Sequence, residues 1–396
     1  MANRRKVILA TCCGAHGLQD GLTDLLYVLL PILAQAFGLT YAQVGVIRAA
    51  NRIAMSTFEL PSGLLSERLG ERILLVFGVA CAGVGYLSLS VATGFVTVLL
   101  GLLVAGFGAA FQHSLCSAII TRTFVDGGRR AALGIYNSSG DVGKLTFAGV
   151  FTLAIGVGAA WRDAVVGFGL IALLAAALLY LVLGRLHAGT RPQPSGDGAD
   201  AGPRPKGWGI VNPMGFGALA VMVFLDTAVQ SGFLTFLAFL MIEKQVPTGL
   251  AAFAVVLTLA GGAFGKFGCG FLAERLGVIR SLVLVECLTA LGILTVLMAP
   301  TMVAFILLPV LGMALQGASS ITYGTVGDLV RGDRQSRGFA AIYTIANAGA
   351  IAAPIAFGLI GDRFGLTPAM VAMACVVLLP LPFCLILRPA LSAKSA

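Results

Sequence analysis

Apolar residues run through this chain in long, nearly unbroken blocks, and the polar positions gather in short clusters between them. The blocks are continuous and do not alternate, so they predict helices and not barrel strands. Each is roughly long enough to cross a hydrocarbon core of about 30 Å as a helix, which satisfies its own backbone hydrogen bonds there. Twelve spans are expected: 8–36, 43–65, 73–92, 96–121, 134–157, 164–185, 212–240, 249–272, 281–299, 302–327, 338–361 and 368–387. The expectation is an all-α polytopic membrane protein.

Composition sharpens this reading. Hydrophobic residues make up 58% of the chain and charged residues 11%, whereas soluble domains carry about a quarter charged residues. A soluble globular protein is therefore excluded. The longest connection rich in Pro and Gly, His187 to Gly209 with Pro192, Pro194, Pro203 and Pro205, reads as a linker. It sets expected units at 1–186 and 210–396, with a cytoplasmic linker at 187–209.

Basic residues predict orientation. With the N-terminus in the cytoplasm, the inner side collects Arg4, Arg5, Lys6, Arg68, Arg72, Arg122, Arg129, Arg130, Arg185, Arg191, Arg204, Lys206, Arg275, Arg280, Arg331, Arg334, Arg337, Arg388 and Lys394. The other side collects only Arg162, Lys244 and Arg363. Both termini are expected inside, at a bacterial inner (plasma) membrane. The net charge of +9 then reflects topology and lipid-headgroup contact, not nucleic acid. The basic N-terminus before an apolar run resembles a signal peptide, but the run is too long and contains Asp20 and Asp24, so a retained first span is expected.

One pattern occurs twice at an offset of 207 residues: Gly63-Leu-Leu-Ser-Glu67-Arg68-Leu-Gly70 and Gly270-Phe-Leu-Ala-Glu274-Arg275-Leu-Gly277. The same offset lays Leu133-Gly-Ile-Tyr136 on Ala340-Ala-Ile-Tyr343, and Arg130 on Arg337. A duplicated half follows, as in many secondary transporters: two pseudo-symmetric six-helix bundles.

With its glycine, acid and basic residues at fixed spacing, the segment Gly63 to Arg72 resembles the signature between helices 2 and 3 of the major facilitator superfamily. The Gly270 segment is similar to its degenerate second copy. The resemblance covers essentially the whole chain and implies the major facilitator fold, alternating access and a functional monomer. The start His16-Gly-Leu-Gln-Asp20, with Tyr27 to Pro31 and Gln43-Val-Gly45, is similar to bacterial fosmidomycin-resistance-type permeases, which implies a drug or metabolite exporter. The resemblance also places a cytoplasmic gate at Gly63, Glu67, Arg68 and Gly70, and at Glu274 and Arg275. Physically, Gly63 permits close helix approach, and Glu67 with Arg68 can hold one conformation by an ionic contact. Anchoring by the positive-inside rule is the plainer reading of Arg68.

Intramembrane charges are costly and mark function. His16, Asp20 and Asp24 share one face of the first span at i, i+4 and i+8. They are the expected proton-coupling residues, together with Asp141, and Asp20 lies nearest the helix middle. Arg52 offers forked donors to an anionic group and balances Asp20 when no substrate is present. Asn137, Asp141 and Lys144 form an expected stripe, with Gln112 and His113 beside it. The expected substrate-binding set is Arg52, His113, Asn137, Asp226, Gln230 and Tyr323. Permanent structural ion pairs among these groups remain the alternative.

The eight cysteines have no CxxC spacing and read as small core side chains. No metal and no cofactor are expected. The chain lacks GxSxG, HExxH and a phosphate loop, so it is not expected to be an enzyme. The functional expectation is a proton-coupled secondary transporter that exports a small organic compound, with protons as its other partner and lipid around it. A proton-coupled nutrient symporter is the runner-up, and a channel or non-transporting receptor comes third.

Overall fold

The computed structural model describes residues 2–124, 128–190, 209–331 and 335–392. The described residues form fourteen helices: α1 (Ala2–Phe37), α2 (Tyr41–Leu69), α3 (Glu71–Leu89), α4 (Phe95–Ala109), α5 (His113–Thr123), α6 (Arg129–Gly156), α7 (Trp161–Arg185), α8 (Pro213–Glu243), α9 (Thr248–Leu276), α10 (Val278–Met298), α11 (Thr301–Leu329), α12 (Gln335–Phe364), α13 (Leu366–Val376) and α14 (Phe383–Ser392).

Nine spans among the described residues are long and apolar enough to cross a membrane, counting α4 and α5 as one. The charged α2 and α6, of 29 and 28 residues, have the length but not the hydropathy. Their charges supply much of the site described below. Two expected spans are broken in the middle. The span 96–121 divides into α4 and α5 at Ala110–Gln112, where the amides of Ala110 and Phe111 reach back three residues, to Phe107 and Gly108. The span 368–387 divides into α13 and α14 around Pro380 and Pro382, which donate no backbone hydrogen bond.

The chain divides into two compact units, Met1–Leu39 with Ala50–Asp197, and Thr40–Ala49 with Gly198–Ala396. The linker expected at 187–209 falls mostly on 191–208, outside the described residues. The helix α2 contributes to both units, its first stretch to the second and its remainder to the first.

In the first unit α1 packs on α6, and α3 packs on α7 and α4. In the second, α8 packs on α12, and α10 packs on α11 and α13. These pairings repeat in the same chain order, which is the duplication expressed as packing. One local device recurs too. Arg162, at the start of α7, donates from Nη2 to Ala92 O at 3.0 Å, beyond the end of α3. Lys244, just past α8, donates to Leu297 O and Ala299 O at 2.7 and 2.8 Å at the end of α10. In each case a cation satisfies carbonyls that a helix end leaves open.

The second unit starts from a well-capped helix. Asn212 Oδ1 accepts from Gly215 N at 2.8 Å, and Pro213 fills the first helical turn, where no amide donor is needed. An isolated antiparallel bridge between Ile210 and Val330 ties this entry to the end of α11.

Candidate transport site

The intramembrane charges of the first unit converge where α1 meets α6. Gly17 and Gly143 face each other so closely that a Cβ on Gly143 would overlap the backbone of Gly17. A Cβ on Gly140 would stand 2.7 Å from His16 Nε2 and 2.8 Å from Asp20 Oδ2. Small residues let two backbones approach in this way, and the approach brings a lysine on α6 to a carboxylate on α1. Lys144 Nζ is 3.2 Å from Asp20 Oδ2, 3.9 Å from Asp24 Oδ2 and 3.5 Å from Asp141 Oδ1. One ammonium thus serves three carboxylates.

Two histidines complete the group. His16 Nε2 is 3.4 Å from Asp20 Oδ2, and His113 Nε2 is 3.5 Å from Asp20 Oδ1. The two rings meet edge to face with centroids 5.1 Å apart. The other nitrogen of His16, Nδ1, lies 2.7 Å from the carbonyl of Tyr136. A carbonyl only accepts, so this contact assigns a proton to Nδ1 and turns Nε2 toward Asp20. Tyr136 stacks on His16 at 4.3 Å and receives a hydrogen bond from Gln112 Nε2 at 2.7 Å. The break between α4 and α5 therefore sets Gln112 and His113 against α1 and α6.

Arg52 stands at the edge of the cluster, its Nη2 3.9 Å from Asp24 Oδ1. The sequence suggested Arg52 as the counterion of Asp20, but Lys144 has that place. The physical reason is the glycine-lined α1–α6 contact, which the spacing within one helix does not reveal. Among these five groups, Asp20, Asp24 and Asp141 formally oppose Lys144 and Arg52.

His16, Asp20 and His113 bring three possible metal-ligand atoms within 4.8 Å of one another. The Lys144 ammonium, 3.2 Å from the same carboxylate, already supplies a cation there.

The remaining expected residues are spread further. Asn137 is exposed on α6. Asp226, Gln230 and Tyr323 belong to the second unit, where Gln230 Nε2 donates to Leu315 O at 3.4 Å and Tyr323 packs its ring 4.9 Å from that of Tyr343. Asp226 is buried on α8. Glu286 on α10 is buried as well, and neither of its carboxylate oxygens has a hydrogen-bond partner among the described residues.

At the expected gate, a Cβ placed on Gly63 would meet nothing within 4 Å among the described residues. The side chain of Glu67 lies outside the described residues. Arg68 and Glu274 are exposed, and Arg275 places its guanidinium 4.4 Å from the ring of Phe271. Gly70 has φ 83°, a conformation that favours glycine, and divides α2 from α3. An ion pair that the sequence left unassigned lies in this region: Glu71, buried at the start of α3, with Arg122 at the end of α5. The signal available was an acid inside the Gly63 to Arg72 segment and an arginine ending the fourth span.

The profile of the Major Facilitator Superfamily matches residues 12–301 and 219–395. The chain belongs to the major facilitator superfamily. It is a multi-pass membrane transporter of small molecules and not an enzyme. Across 385 residues it is 27% identical to an uncharacterized MFS-type transporter, YfnC, of Bacillus subtilis, covering 93% of this chain and 89% of the relative. An uncharacterized MFS-type transporter of Methanocaldococcus jannaschii, MJ1560, is 25% identical over 118 residues, 30% of each chain. Among solved structures, a bacterial homologue of the human lysosomal transporter Spinster, inward-facing and unoccupied, superposes with TM-score 0.82 at 16% identity over 99% of this chain and 98% of the other. The nucleoside transporter NupG gives TM-score 0.73 at 13% identity over 98% of this chain and all of the other. At these identities the likeness is one of fold.

Proposed function

We propose that this major facilitator transporter couples proton movement to the export of a small organic drug or metabolite by alternating access. The observation that carries the reading is the cluster around Asp20. Lys144, His16 and His113 all lie within 3.5 Å of its carboxylate, on three different helices. A change in helix position that separates Lys144 from Asp20 breaks the closest ion pair of the cluster, and proton movement is proposed to be coupled to that step. Asp24, Asp141 and His16 then share the proton pathway.

Arg52, whose contact to Asp24 is long at 3.9 Å, is the donor proposed for an anionic substrate group. His113 and Asn137 are proposed to border the substrate in the first unit, with Asp226, Gln230 and Tyr323 in the second. Export, and not uptake, rests on the resemblance to fosmidomycin-resistance-type permeases. Glu67, Arg68, Glu274 and Arg275 are proposed as cytoplasmic gate residues. The distribution of basic residues supports cytoplasmic termini in a bacterial inner membrane, and the protein is proposed to work as a monomer.

The test is a pH gradient of either sign imposed on reconstituted vesicles, read with a broad panel of metabolites and drugs. Counterflow against the proton gradient supports export, and co-directional accumulation would transfer the reading to proton symport. Equal transport at every imposed gradient rejects coupling.

A further inference from the structure

The eight-residue pattern that the two halves share occurs a third time, at the end of α12: Gly358-Leu-Ile-Gly-Asp362-Arg363-Phe-Gly365. Glycine, acid, arginine and glycine keep the same spacing in all three copies. The local geometry repeats as well. Gly70, Gly277 and Gly365 have φ of 83°, 83° and 91°. Each donates its amide to the carbonyl four residues back, at 2.8, 3.0 and 2.9 Å, and each is followed at once by a new helix. The third copy is thus the same structural device, placed between α12 and α13.

Its acid is engaged. Asp362 Oδ1 accepts from the amide of Tyr41 at 2.7 Å, and Oδ2 accepts from the amide of Ala42 at 2.9 Å. These are the first two amides of α2, which no turn of the helix can satisfy. The third is satisfied locally: Gln43 N donates to Thr40 Oγ1 at 3.2 Å, while Thr40 N donates to Gln43 Oε1 at 3.0 Å, a reciprocal capping box. Asp362 therefore supplies what the capping box leaves open, and its charge faces the positive end of the helix dipole.

The surrounding surface is shaped for this contact. A Cβ on Gly358 would stand 2.5 Å from Tyr41 O, and one on Gly361 would stand 3.0 Å from Tyr41 Cδ2. The Tyr41 hydroxyl donates to Glu243 Oε1 at 2.9 Å, and its ring meets Phe236 and Phe239 edge to face. This docking explains why Thr40–Ala49 packs with the second unit while the rest of α2 belongs to the first.

We propose that Asp362 is a gating residue of the transport cycle, which seats the N-terminus of α2 on α12 in one access state and releases it in the other. The proposal rests on the alternating-access reading, but not on its substrate or on proton coupling. The first stretch of a helix that otherwise belongs to one unit is held in the other through a carboxylate. Release of that seat would free Thr40–Ala49 from the unit to which Asp362 holds it. The same residue pattern is used at Glu67, with its acid at the same fifth position.

Hydrogen exchange on the full chain in nanodiscs tests the contact. In Asp362→Ala the amides of Tyr41 and Ala42 are expected to exchange at least tenfold faster, with residues 16–24 of α1 unchanged. Asp362→Asn, which keeps the size and one acceptor, falls between. Unchanged exchange in both variants overturns the seat. Gating is tested by placing one cysteine at Ala42 in a variant without the native cysteines and following its reaction with a membrane-impermeant maleimide added outside. The rate is expected to rise several-fold with Asp362→Asn and to fall with Arg68→Ala, which weakens the opposite side. Equal rates in all three proteins overturn the gating role, even where exchange has risen.

Discussion

Lys144 Nζ lies 3.2 Å from Asp20 Oδ2, nearer than His16 or His113 stands to Asp20 and nearer than Asp24 or Asp141 stands to Lys144. The pair joins α1 to α6 where Gly17 and Gly143 bring the two backbones into contact. A cation and an anion on helices that touch through glycine are fixed by the packing, and loosening the packing loosens the pair. This gives the site its proposed mechanical link: helix movement and proton affinity at Asp20 change together.

Lys144→Met should be more damaging than its loss of one contact suggests. It leaves Asp20, Asp24 and Asp141 without the ammonium they share, and removing one member of a largely buried ion pair costs about 3 kcal/mol or more. Purified Lys144→Met is expected to unfold at a clearly lower temperature than the parent. Adding Asp20→Asn should recover part of that loss, because it removes the carboxylate nearest the lost ammonium and restores the parent's balance of charge, while gradient-driven transport stays absent. A thermal-unfolding series on the two single variants and the double variant checks this. An additive double variant would mean that the two residues do not act as a pair.

Asp20→Asn alone keeps the size and hydrogen-bonding capacity of the side chain but removes its change of charge. Accumulation driven by a pH gradient should fall at least tenfold, while substrate exchange without a gradient persists. Vesicle assays with the gradient present and absent separate the two. Normal gradient-driven accumulation by this variant would remove Asp20 from the coupling role.

The α1–α6 contact itself can be probed without touching a charge. A Cβ at Gly143 would overlap the backbone of Gly17, whereas at Gly149, further along the same helix, nothing among the described residues lies within 4 Å. Gly143→Ala is expected to destabilise by about 1–3 kcal/mol through overpacking and to lower gradient-driven transport by separating Lys144 from Asp20. Gly149→Ala should be neutral or slightly stabilising, since alanine suits a helix better than glycine. Parallel thermal unfolding and transport assays on the two variants decide the point.

The fold was legible in the sequence because its signals are one-dimensional. Block length gives spans, and the 207-residue offset from Gly63 to Gly270 gives the duplication. The face shared by His16, Asp20 and Asp24 was legible for the same reason, since it depends only on helical period. What could not be read are facts of contact between helices. Lys144 displaces Arg52 as the partner of Asp20 because Gly17 and Gly143 touch, and no spacing within either helix states that. The break at Ala110–Gln112 was hidden inside an apolar block with no proline to mark it. The Gly358 copy escaped for a different reason: it lies 88 residues after the second copy, so a search at the offset of the halves passes over it.

The pair between Glu71 and Arg122 gives the last prediction. Glu71 is buried with 3% of its side chain exposed, whereas Arg122 is 46% exposed, and Glu71 Oε2 has no hydrogen-bond partner among the described residues. The two partners are therefore unequal. Arg122→Ala leaves a buried carboxylate without its cation, and Glu71→Gln leaves an arginine that water can reach. The arginine variant should lose more stability, by about 1–2 kcal/mol relative to the glutamine variant, in line with the cost of an uncompensated buried charge. In the double variant, Glu71→Gln should recover part of the loss caused by Arg122→Ala. The measurement is a double-mutant cycle by thermal unfolding in one detergent. Equal losses from the two single variants would show that Glu71 does not depend on Arg122 for its charge.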